Sequence, residues 1–372
     1  MDVATLSGIA QLAVDATVGV ARVVEGVHAS VLRSTGLPLA DEHGRTRGLT
    51  GLVYRSVRGT ARAVGGGLAA ALRAIERSGA GRAAADGPER YTAWRAALNG
   101  VFGDHLAASG NPLALPMTLR RCATDGCGER VLLLVHGLCM SDGDWRTARD
   151  GDVVDHGADT ASRLGHVPIH VRYNTGLAIS ANGRALSERL EALCRESPVP
   201  IRRIDVIAHS MGGLVVRSAC AQAEQAGASW RKQLRHVVFL GTPHDGAPLE
   251  RIGHAVDRLL AATPWTSPFA RIGRVRSAGI LDLRHGLSDV PLPEGVQCHA
   301  VAGTLASRSD GLGARLVGDG LVPLASALGR SRDATRTLAF RRGSRFVAHG
   351  TGHFDLLASE RVGARIRAWL AR

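Results

Sequence analysis

Lysine is nearly missing from this chain: Lys232 stands alone, and arginine carries the rest of a formal charge of +13 over 372 residues. A charge of that size invites nucleic acid or an anionic membrane as partner. Yet no run of five basic residues occurs, and no aromatic residues are interleaved with the basic ones as a base-stacking surface requires. Arginine, alanine and glycine in common excess read as a biased genome composition, so no nucleic-acid partner is expected. Aromatics make up only 4% of the chain, which leaves the core to Leu, Val, Ile and Ala. Cysteine is sparse as well. The six (122, 127, 139, 194, 220 and 298) are too few for a disulfide framework in a chain this long. Cys122 and Cys127 bracket Ala-Thr-Asp-Gly, a turn sequence, and no second closely spaced cysteine pair completes a zinc tetrahedron. Free thiols and no metal are expected. No uninterrupted apolar run of about eighteen residues is found, which predicts no transmembrane helix. The opening Met1-Asp-Val-Ala-Thr lacks the basic stretch of a secretory signal. A cytoplasmic protein is expected, with peripheral membrane contact through residues 1–75 as the alternative placement.

What is present is a hydrophobic content of 45% in a chain longer than one average domain. The pattern changes near residue 85. Upstream, Ile9, Ala13, Ala16, Val20, Val23, Val27 and Val31 recur at spacings of three and four, one face of a helix. A second such run passes through Leu52, Val53, Val57, Val64, Ala71 and Ile75, weakened by Gly65-Gly66-Gly67. The two predict a helical hairpin over 1–85. Its small-residue faces should pack on each other or on the main domain; the competing use is a lipid surface. Ala80 to Pro88 reads as a linker, and Tyr91 to Ala108 as one more helix, stopped by Gly110-Asn-Pro112.

Residues 86–372 read as one catalytic domain. Short apolar strands are predicted at 131–135, 168–173, 204–208, 236–240, 297–303 and 344–348, with helical connections such as 181–196, 212–226 and 359–371. Strands apolar on both faces with helices between them imply a mostly parallel sheet covered on both sides. Residues 249–295 break this rhythm and are a candidate lid.

Ile204-Asp-Val-Ile-Ala-His-Ser-Met-Gly-Gly213 carries the chemistry. A buried strand runs straight into Ser210 and a helical pattern follows at once, the pattern of a nucleophile elbow. Ala208 stands where G-x-S-x-G has its first glycine, a small departure. The Met211 N–H opens the helix, where donors are unpaired and the dipole is positive, so it suits an oxyanion. Leu138 N–H, in the loop after strand 131–135, is the second expected donor. A serine needs a base and an acid to orient it. Asp310 and Asp319, each followed by Gly-Leu, compete for the acid; His349 and His353 compete for the base.

Val135-His-Gly-Leu138, Ala208-His-Ser-Met-Gly-Gly213, Gly241-Thr-Pro-His244, Gly318-Asp-Gly-Leu-Val-Pro323 and Gly352-His-Phe-Asp-Leu356 together resemble bacterial triacylglycerol lipases and esterases. The Gly-Thr-Pro-His segment is also similar to the GPI inositol-deacylase-like branch. The resemblance spans 131–372 in motif order and leaves the N-terminal hairpin uncovered. It implies an α/β-hydrolase fold, with Asp319 as the acid and His353 as the base. The expected activity is hydrolysis of a small-molecule or lipid carboxylic ester through an acyl-enzyme, with no cofactor. Thioester, amide and acyl-transfer chemistry fit the same residues. A reading of another class makes the hairpin a lipid-surface binder and the triad vestigial.

Overall fold

In the computed structural model, residues 3–34, 43–77, 89–121, 128–149, 152–248, 251, 277–287, 289–307 and 318–372 are described. They fall in two compact units. One comprises Met1–Gly87 with Leu106–Ala114, the other Pro88–His105 with Leu115–Arg372. A single cut near 85 therefore misses the return of 106–114 to the first unit. There, Asn111 donates its side-chain amide to the Gly8 carbonyl at 3.0 Å, and Gln11 donates to that of Ser109 at 3.2 Å.

Helices α1 (Val3–Ser34) and α2 (Gly48–Arg77) form the first unit's hairpin, and α3 (Glu89–Ala108) follows. The glycine run does not interrupt α2. A Cβ at Gly65 would lie 2.3 Å from Val14 Cγ2, so the missing side chain is what lets α1 approach. The hairpin overturns one expectation. Its buried face on α1 is Val18, Ala21, Glu25 and Ala29, while Val20, Val23, Val27 and Val31 are 56–68% exposed. Leu52, Val53, Val57 and Val64 of α2 are likewise exposed. The apolar periodicity was real, but it marks the outside. A second point concerns the same helix. Val3–Arg33, with mean hydropathy 1.5 over its best window, is long and apolar enough to cross a membrane, by length and composition alone. The rule of an uninterrupted run overlooked it because single polar residues break the stretch.

The second unit is built on a seven-stranded sheet. Its strands are β1 (Thr118–Arg120), β2 (Arg130–Val135), β5 (Val167–Arg172), β6 (Arg203–His209), β7 (Leu234–Leu240), β8 (Gln297–Thr304) and β9 (Arg345–His349). A small hairpin, β3 (Thr147–Arg149) with β4 (Asp152–Val154), lies apart. The sheet order is β1-β5-β2-β6-β7-β8-β9, parallel throughout except for the edge pair β1–β5. The strands are apolar on both faces because both are covered, as the sequence predicted. Leu132, Leu134, Ile207, Val238 and Val301 pack with Val362, Ile366 and Trp369 of α9 (Glu360–Leu370) and Ala161 of α4 (His156–Leu164). The alternate residues face α5 (Ile179–Glu196) and α6 (Met211–Ala226), which pack on each other. This strand order, with the strand–serine–helix turn after β6, is the α/β-hydrolase fold.

Most of the candidate lid lies outside the described residues, as do Asp310, Cys122 and Cys127. Within 249–295, helix α7 (Ala278–His285) is capped by Ser277, whose hydroxyl accepts from the Ile280 amide. A short helix, α8 (Leu324–Ala327), follows β8.

Candidate active site

Ser210 occupies φ 53° and ψ −124°, a backbone region costly for any residue with a Cβ. The sequence makes that turn affordable by emptying the space around it. A Cβ at Gly212 would sit 2.5 Å from the Val135 carbonyl oxygen, and one at Gly213 would sit 2.1 Å from Thr242 Oγ1. Ala208 is fully buried in β6, so the position tolerates one methyl and little more. The Ser210 amide donates to the Leu240 carbonyl at 2.8 Å, which ties the elbow to the end of β7. The side chain stays half-buried, open to an incoming molecule.

The other two residues arrive from the ends of β8 and β9. His353 Nδ1 lies 2.7 Å from Asp319 Oδ2, and both side chains are buried. Asp319 Oδ1 meanwhile accepts from the Leu321 and Val322 amides at 3.0 and 2.8 Å. Burial pushes the Asp319 carboxyl up, but His353 opposite and these hydrogen bonds together hold it below the ordinary aspartate range. An ionised Asp319 takes the Nδ1 proton as its partner and leaves Nε2 as the acceptor. The His353 amide also donates to the Asp319 carbonyl at 3.0 Å, so the pair is joined twice. Gly241, at the end of β7, gives the imidazole room: a Cβ there would come within 3.1 Å of the ring. No hydrogen bond links the Ser210 hydroxyl to His353 in this structure; such contacts tighten in many enzymes only once substrate is bound.

His209, beside the serine, packs behind His353. Its Nε2 is 3.2 Å from the His353 carbonyl and its ring centroid 4.7 Å from that of His353. Burial and the neighbouring His353 push its pKa down to about 3, so it is neutral and donates that bond. His349 ends β9 and has no hydrogen bond to Asp319; its carbonyl accepts from the Thr351 hydroxyl.

The two oxyanion-donor candidates lie on either side of a close contact. Met211 begins α6, and Leu138 sits in the loop after β2, where a Cβ on Gly137 would meet Ser210 Cβ at 3.0 Å. That loop is fixed from several directions. Tyr173 donates to the His136 carbonyl at 2.8 Å and stacks on its ring, and Thr175 Oγ1 accepts from the Cys139 amide at 3.1 Å. Arg172 grips Asp142 through two bonds, at 2.6 and 3.1 Å. Cys139, at φ 59°, is the second non-glycine residue with positive φ among the described residues. Nothing in its sequence context signals that.

Arg217 was also missed. It is wholly buried on α6, and burial pushes its pKa down to about 10, still charged at neutral pH. It donates to His244 Nδ1 at 3.2 Å and to the carbonyls of Leu287 and Val290. The Gly-Thr-Pro-His loop and the chain returning after α7 are thereby pinned to α6. His244 is held neutral, well below the usual histidine range, by burial and then by this guanidinium.

A second His–Asp pair shows what an aspartate–histidine contact means elsewhere. His166 Nε2 is 2.7 Å from Asp205 Oδ2, which Arg203 Nε shares at 2.7 Å. Asp205 lies near the start of β6, at the opposite end of the strand from Ser210, and the cluster locks β6 to the α4–β5 junction.

The buried imidazoles set an acid limit on stability. His136, His156, His209, His236, His244 and His299 all have pKa values lowered chiefly by burial, His299 to about 4. Unfolded, each takes a proton near 6.5; folded, each takes it only at a lower pH. Stability is therefore complete above pH 6.5 and drains away as the pH falls toward the folded values. Each fully shifted imidazole removes about 1.4 kcal/mol per pH unit in that window. Thermal melting is expected to drop steeply between pH 7 and 5. A melting temperature unchanged over that range would refute neutral burial of these rings.

A family described as a domain of unknown function, DUF7379, matches residues 105–281. No curated protein matches the chain. Among solved structures, the mature lipase BlEst2 of Bacillus licheniformis is 18% identical, covering 69% of this chain and 98% of its own, with a TM-score of 0.44. An esterase from Thermogutta terrifontis is 16% identical, with 68% and 92% covered and a TM-score of 0.40. The Pyrococcus furiosus esterase Pf2001 is 14% identical, with 66% and 80% covered and a TM-score of 0.38. The chemistry of this chain rests on its own residues.

Proposed function

We propose that this chain is a serine hydrolase of carboxylic esters, of the lipase and esterase type, working through an acyl-enzyme. The observation that carries the reading is the 2.7 Å Asp319–His353 bond, assembled at the same carboxyl end of the parallel strands as the strained Ser210 turn. His353 Nε2 takes the Ser210 proton as Oγ attacks the ester carbonyl. The Met211 and Leu138 amides receive the oxyanion. The protonated imidazole then gives its proton to the leaving alkoxide, and on the return half-reaction it activates water to release the acid. Asp319 holds the tautomer and stabilises the imidazolium between these steps. Every group required belongs to the protein, so no cofactor enters the scheme. Gly241-Thr-Pro-His244, locked by Arg217, is the segment on which a further likeness to inositol-deacylase-like enzymes rests.

The test is covalent. A fluorophosphonate probe should label the protein once, on the peptide holding Ser210, and labelling should vanish in Ser210→Ala. Labelling on another peptide, or none in a folded and monodisperse sample, would sink the assignment.

A further inference from the structure

The first unit holds a cavity of about 710 Å³ lined by Arg22, Glu25, His43, Gly44, Arg45, Arg55, Arg58 and Arg62. Among the described residues, five guanidiniums face it against one carboxylate, and Arg45 has a further partner of its own. That carboxylate is already committed. Glu25 accepts from the Arg58 guanidinium through one oxygen, and from the Thr46 amide and hydroxyl at 3.2 and 3.3 Å through the other. Burial pushes the Glu25 carboxyl up, but Arg58 and Thr46 together hold it below the ordinary range, so it stays ionised and tied to Arg58. No carboxylate among the described residues pairs with Arg22, Arg55 or Arg62.

Spacing explains how the cluster arises. Arg55, Arg58 and Arg62 fall at steps of three and four, one stripe of α2, with Arg58 as the inward member and the other two flanking it. Arg22 stands three residues before Glu25 on α1. Residues 43–45 reach the same cavity from the far end of the connection. Like charges gathered in one concavity repel, and no ion pair among the described residues holds Arg22, Arg55 or Arg62 there. A guanidinium fork matches the oxygens of a phosphate group in both charge and geometry.

We propose that this pocket binds a phosphate group. Two sources share that chemistry: a soluble phosphoester and the headgroup of an anionic lipid. The exposed valines of α1 and the exposed Leu52, Val53, Val57 and Val64 of α2 make the headgroup the expected source. The hairpin would then lie on a bilayer and not across it. Although α1 is long and apolar enough to span, a span would carry Arg22, Glu25 and the arginines packed against them into hydrocarbon, where each such charge is strongly disfavoured.

The experiment compares wild type, Arg22→Gln/Arg55→Gln/Arg62→Gln and a charge-matched control, Arg189→Gln/Arg195→Gln/Arg202→Gln, all full length. Binding is read by sedimentation with phosphatidylcholine vesicles containing or lacking phosphatidylglycerol, and by calorimetric titration with pyrophosphate at fixed ionic strength. Arg58 is left in place to keep Glu25 paired. Melting curves check the fold, and Arg22→Gln/Arg62→Gln serves as the milder variant should the triple not fold. The pocket triple is expected to bind at least roughly a hundredfold more weakly than wild type, with the control close to wild type. Selective vesicle binding identifies a lipid source, and pyrophosphate binding without vesicle binding a soluble one. The proposal fails if wild type binds neither ligand. It fails equally if pocket and control variants lose binding alike, which would assign the effect to net charge.

Discussion

Ser210→Ala is expected to lower turnover of a short soluble ester by roughly four to six powers of ten, with the fold unchanged. The size follows from what the hydroxyl does. Without Oγ no acyl-enzyme forms, and only the oxyanion donors and substrate positioning remain to act on a direct attack by water. The fold should survive because the Ser210 side chain makes no hydrogen bond that supports it, whereas its amide bond to Leu240 is unaffected by the change. Ser210→Gly should be just as inactive yet melt higher, since glycine relieves the φ of 53°. Initial rates and melting curves measured together decide the matter. More than a tenth of wild-type activity in the alanine variant would remove Ser210 from the chemistry.

Asp319→Asn should cost up to about ten-thousandfold in turnover, while Asp310→Asn stays near wild type. The cause lies in the two amides already bonded to Asp319 Oδ1. An asparagine there keeps its carbonyl oxygen toward Leu321 and Val322, because only oxygen accepts. Its NH₂ must then face His353 Nδ1, which becomes an acceptor, and the ring proton moves to Nε2. The imidazole is left with nothing to take the serine proton. Both variants should be compared by turnover number and by melting temperature. The reverse ranking would move the acid to Asp310 and undo the reading of this loop.

The sheet was legible because its strands are buried on both faces, which compresses them into short runs such as Val-Leu-Leu-Leu-Val. Elements lacking that pressure were not. Thr118–Arg120 is a three-residue half-buried edge, and β3 and β4 are short pieces rich in charge. Helix α4 is mostly polar and starts from the Asp155 cap. In the hairpin, periodicity gave the helices and misjudged their exposed side, since the pattern cannot say which way an apolar stripe looks. The candidate site was readable where each residue follows a strand in chain order. Arg217 was invisible. A lone arginine in a helix looks like a solvated surface residue until folding places three acceptors around it.

The Asp319 loop and the Gly-Thr-Pro-His loop share one construction detail. Leu305 donates to the Gly318 carbonyl at 3.2 Å, so the excursion between them is closed at its base, and Asp319 stands against the end of β8 regardless of what lies beyond. The longer excursion after β7 is cinched in the same way, by Ala247 to Leu283 at 3.0 Å and Leu287 to His244 at 3.2 Å. Lengthening a loop whose ends are already joined costs little, about 0.6 kcal/mol per doubling. The spacing of Ser210, Asp319 and His353 is thereby set by hydrogen bonds at the bases of the two excursions.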